Sequence, residues 1–93
     1  FVDPARTAKY ETYVLGAEAL MRVGGFDRAV GLLDKAVTHY GINASLMNLT
    51  GECYLNLGKA PEALAAFEKS LGLSPEQPQI RQKVEDLKKK TAR

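Results

Sequence analysis

An internal period of 34 residues restricts this chain more than any other feature. At that offset Gly24 falls on Gly58, Ala29 on Ala63, Lys35 on Lys69, Glu18 on Glu52 and Leu15 on Leu49. Similar residues pair at Ala17 with Gly51, Leu33 with Phe67 and Ala36 with Ser70. These positions suit a pair of packed helices, which needs small residues where backbones approach and large ones where space must be filled. A period of this length marks one supersecondary unit stacked on the next, each burying its apolar face against its neighbour.

Local signals place helices inside the unit. Asp3-Pro4 offers a capping side chain before a proline at the first helical position, and an apolar-periodic run continues to about Val23. Gly24-Gly25 stops that helix, and a second runs from Phe26 to about Tyr40 with Phe26, Val30, Leu33 and Val37 as its apolar stripe. Asn43 is placed to cap a third helix from about Ala44 to Leu57; Gly58 ends it, and Pro61 opens a fourth that closes near Leu71. From about Pro78 a fifth helix carries Ile80, Val84 and Leu87 on one side and charge or amide on the rest. Short connections make neighbouring helices antiparallel.

The second unit reads Met47-x2-Thr50-Gly51-x2-Tyr54, then Ala63-x3-Phe67, then Ser70 and Pro75. The first gives Tyr13, Gly16-Ala17, Leu20, Ala29, Leu33 and Ala36, with Gly41 in place of the proline. This pattern resembles the tetratricopeptide repeat. The resemblance covers residues 10–77 and implies an all-α solenoid of antiparallel helix pairs with five helices. Its expected organisation is a single domain over 1–93: an N-terminal extension 1–9, repeat one 10–43, repeat two 44–77 and a capping helix 78–93. Gly16 and Thr50 replace the family's large apolar residue, which predicts looser packing there. Two repeats are fewer than the three such stacks usually need, so the long first helix, self-association into a homo-oligomer or flanking repeats must add burial. The start at Phe1 suggests a piece of a longer or processed chain.

Composition excludes several classes of function. Thirteen basic and eleven acidic residues leave a net charge of +2, too small and too mixed to favour nucleic acid or a membrane surface. No apolar run approaches the length that spans a bilayer. Cys53 is the sole cysteine, so no intramolecular disulfide or thiol-rich metal site can form, which fits a reducing, cytoplasmic setting. His39 is the sole histidine and ends the second helix without an accompanying acid, thiol or serine constellation. The glycines lack phosphate-loop spacing, and a thiol beside Tyr54 reads as packing. We therefore expect no enzyme activity, no catalytic residue, no cofactor and no metal. Lys88, Lys89 and Lys90, with Arg81, Lys83 and Arg93, complement a helix C-terminus and keep a cap soluble; a nucleic-acid or acidic-lipid patch is the competing reading.

The resemblance implies that the first helix of each pair lines a concave groove. Helical spacing then puts Glu11, Val14, Glu18 and Met21 of the first helix on one face with Ser45, Asn48, Glu52 and Leu55 of the third. Gln79, Gln82 and Asp86 of the last helix complete the expected partner-binding surface. Glu11, Glu18, Glu52 and Asp86 would make it acidic, favouring a basic or amide-rich peptide, with Asn48 fixing register through its amide. Some family members grip a C-terminal carboxylate with Lys, Asn and Arg; here the matching positions hold Val14, Glu18, Leu49, Gln79 and Lys83, and only Lys83 fits. The implied function is a protein-protein interaction scaffold binding a peptide or partner protein. The alternative is a helical dimerisation or regulatory domain appended to an enzyme.

Overall fold

The computed structural model describes residues 4–91, with side chains from 8 to 90; Asp3, the extreme N-terminal segment and Arg93 lie outside the described residues. Five helices follow one another: α1 (Pro4–Arg22), α2 (Phe26–Tyr40), α3 (Ala44–Asn56), α4 (Ala60–Leu73) and α5 (Pro78–Thr91). Each boundary has a local cause. Gly24 and Gly58, one period apart, adopt φ of +83° and +75° after the first helix of each pair, a conformation that strains any residue with a Cβ. Asn43 sits in extended conformation before α3 and its Oδ1 accepts from the Leu46 backbone N–H at 2.9 Å, the expected cap. Its Nδ2 also donates to the Tyr10 hydroxyl at 3.0 Å, so the cap ties the second repeat to α1.

Each helix packs against its successor, and α1 also touches α3. The first core gathers Ala17, Ala29, Leu33 and Ala36 with Leu46, Met47 and Cys53 of α3. Phe26, Val30 and Val37 of the expected α2 stripe are only partly buried around it, because the alanines hold the positions of closest approach. The second core joins Ala63 and Phe67 of α4 to Val84 and Leu87 of α5, with Ile80 beside them. The polar fifth helix thus covers the apolar side of α4, as its stripe implied.

The packing at Gly16 diverges from expectation. A Cβ on Gly16 would stand 3.1 Å from Leu32 Cδ1, so the space is filled by α2 and is not loose. Thr50 is buried, its hydroxyl turns back onto the Leu46 carbonyl at 2.8 Å, and its side chain lines a cleft between α2 and α4. Gly51 is the tighter junction, since a Cβ there would lie 2.6 Å from the Phe67 ring.

Candidate functional site

The first helices of the successive units, α1 and α3, together with α5, make one layer of the molecule, joined by the α1–α3 contact and by an ion pair between Glu52 of α3 and Lys83 of α5. Helix periodicity brings the expected residues onto this layer with different degrees of access. Glu11, Ser45, Gln79, Gln82 and Asp86 are exposed, and Glu18, Met21, Asn48 and Glu52 are half-buried. Val14 and Leu55 pack against the first and second cores, so their apolar area is already largely spent within the fold.

Glu18 and Met21 meet Arg22, Phe26 and Leu49 around a shallow cleft of about 280 Å³. Leu49 lies on this face beside Glu18, one position from Asn48. The period itself carried that signal, since Leu49 pairs with the exposed Leu15 of α1. The four carboxylates do not form one uniform acidic trough. Lys83 neutralises Glu52 from across the layer, and its ammonium also lies 5.6 Å from the centroid of Phe67. Asp86 accepts a hydrogen bond from Gln82 Nε2 at 3.0 Å. Glu11 and Glu18 make no ion pair within 4 Å among the described residues, and Arg22 lines the same cleft as Glu18.

Asn48 is engaged within the fold. Gln77, one period after Asn43, turns its Nε2 toward the Ser70 Oγ at 2.9 Å, the Ser74 carbonyl at 2.8 Å and the Ser70 carbonyl at 3.3 Å. Its Oε1 is left to accept from Asn48 Nδ2 at 2.8 Å, and Asn48 Oδ1 is buried with no donor among the described residues. The Asn48 amide thus braces α3 to the α4–α5 connection through Nδ2, while its Oδ1 is buried without a donor among the described residues.

The remaining chemistry-bearing residues have structural surroundings. The His39 ring stacks on Tyr13 at 6.1 Å between centroids, and Tyr10 meets Tyr40 edge-on at 5.6 Å, an aromatic cluster that joins the start of α1 to the end of α2. Cys53 is fully buried, and burial pushes its thiol above the ordinary value of 9.0, which disfavours the reactive thiolate. Arg81 donates to the Pro75 carbonyl at 2.9 Å, and Lys88 lies 3.5 Å from Glu68, both within the cap and its junction.

Helical hairpins stacked in two layers, with turn glycines and small close-approach residues recurring every 34 residues, define a helical-repeat protein. The tetratricopeptide repeat model matches residues 14–78, and the chain belongs to that family. Its repeats are typically non-catalytic scaffolds for protein-protein interaction. Comparison with curated proteins returns no significant match. No helix among the described residues is long and apolar enough to cross a membrane.

Proposed function

We propose that this chain is a non-enzymatic scaffold that holds a peptide segment or partner protein on the surface of α1, α3 and α5, in a reducing compartment such as the cytoplasm. The observation that carries the reading is the cleft that Glu18 lines with Met21, Phe26 and Leu49, and with Arg22 as its one cation. An apolar lining with a carboxylate unpaired among the described residues favours a ligand side chain that is apolar along its stem and cationic or amide at its tip. Exposed Glu11, two turns earlier on α1, extends the same sign along the ligand, whereas the Glu52–Lys83 pair contributes no net charge.

Titrating lysine-rich and glutamate-rich peptides of equal length against the protein tests this reading. The lysine-rich peptide should bind more tightly, and Glu18→Lys should lower its affinity by about tenfold at low salt, mainly through the association rate. Equal affinity for the two peptides, or a Glu18→Lys protein that binds as before, would refute it. A second reading, a helical dimerisation or regulatory domain appended to an enzyme, draws on Leu15 of α1 and Val23 just past its end, which are 62% and 80% exposed. A monomeric mass by sedimentation at high concentration would dispose of the dimer.

A further inference from the structure

The face opposite the proposed ligand surface carries a cleft of about 340 Å³ between α2 and α4, with α3 as its floor. Met47, Thr50 and Tyr54 form the floor, Val37 and Ala66 the walls, and Ile42, 44% exposed, stands at one end. The repeats exchange size at these positions: Gly16 of α1 accepts Leu32 of α2, whose Cδ1 comes within 3.1 Å of where a Gly16 Cβ would be, and one period later the same two positions hold Thr50 and Ala66. Thr50 and Ala66 both line the cleft.

The rim has a definite charge. Asp34 on the α2 wall and Glu62 on the α4 wall are exposed and make no ion pair within 4 Å among the described residues, while Lys69 is the one rim cation. We propose that this cleft is a second docking site, independent of the α1–α3–α5 surface, for an apolar side chain of a partner protein presented between basic residues. The volume lies at the small end of ligand clefts, which suits a short side-chain anchor. With a carboxylate on each wall against the single cation Lys69, the rim is net acidic and favours cations beside that anchor over an anionic flank.

Amide chemical shifts of the labelled protein, followed during titration with a peptide carrying two leucines between arginines, provide the test. The control replaces the arginines by glutamates. The arginine peptide should move the resonances of Val37, Thr50, Tyr54 and Ala66, and the glutamate peptide should not. Ala66→Leu, which adds an isobutyl group to the cleft lining, should weaken binding by about tenfold, as expected for excluding one buried apolar side chain. A combined Asp34→Lys and Glu62→Lys variant, altered only at exposed positions, should invert the preference and decides the matter if Ala66→Leu does not fold. Shifts confined to α1, α3 and α5, no shifts with either peptide, or full affinity in a folded Ala66→Leu protein would overturn the proposal while leaving the Glu18 site to be judged by its own titration.

Discussion

Gly51 and Phe67 show how far a single side chain reaches in a structure of this size. The Phe67 ring occupies the space a Cβ at Gly51 would enter, and Phe67 and Ala63 are both fully buried between α3, α4 and α5. Gly51→Ala should therefore cost about 1–3 kcal/mol by overpacking, and Phe67→Ala about 3–5 kcal/mol by leaving a cavity. Urea denaturation of the two variants checks this; midpoints equal to the parent's would mean that the ring does not fill the junction. Cys53 sets a pH dependence. Its folded thiol holds its proton to higher pH than the unfolded one, so the unfolded chain loses its proton first as pH rises past about 9. The stability this group contributes is thus full below that pH and declines above it. Melting temperatures between pH 8 and 10 should fall less steeply for Cys53→Ala than for the parent, and the native thiol should resist a disulfide reagent until the protein unfolds.

Among the elements, α5 is the most polar, and its place rests on three apolar residues. Val84 and Leu87 are buried against Ala63 and Phe67, with Ile80 at the edge of the same cluster. The Glu52–Lys83 pair adds orientation more than energy: both side chains are over a third exposed, and pairs of that kind contribute at most about 1 kcal/mol. Removing residues 78–93 would uncover Phe67 and break the Glu52–Lys83 pair. The shortened protein should self-associate or melt at a lower temperature, as a contiguous apolar face does in water. A truncated chain that stays monomeric with an unchanged midpoint would contradict the role of α5 as a cover.

For the whole molecule, the two-layer arrangement separates two surfaces of different origin. In the layer of α1, α3 and α5, Lys83 pairs with Glu52, while Glu11 and Glu18 make no ion pair within 4 Å among the described residues. The layer of α2 and α4 carries a cleft floored by Met47, Thr50 and Tyr54 of α3. Position in the stack matters as much as residue type. Leu49 in α3 is half-buried against the first core, whereas its counterpart Leu15 in α1 is 62% exposed, because no helix covers that side of α1 among the described residues.

The period, the turn glycines, the Asn43 cap and the apolar stripes were enough to determine five helices and their order. The stripe of α5 marked Val84 and Leu87 for the core, whereas only Leu33 of the α2 stripe is fully buried. Each of these signals depends on contacts within one helix or on a spacing that repeats in the chain, and such local terms are written residue by residue. The fate of polar side chains was not legible in the same way. Glu52 and Lys83 are 31 residues apart, and Asn48 and Gln77 are 29, so no helical spacing announces either pair. The open cleft beside Thr50 likewise needed the separation of α2 from α4, because whether Ala66 leaves a gap depends on what stands opposite it. Apolar burial responds to the periodic pattern of the chain, but hydrogen bonds and ion pairs require particular atoms within about 3–4 Å, and only the packed helices decide which atoms those are.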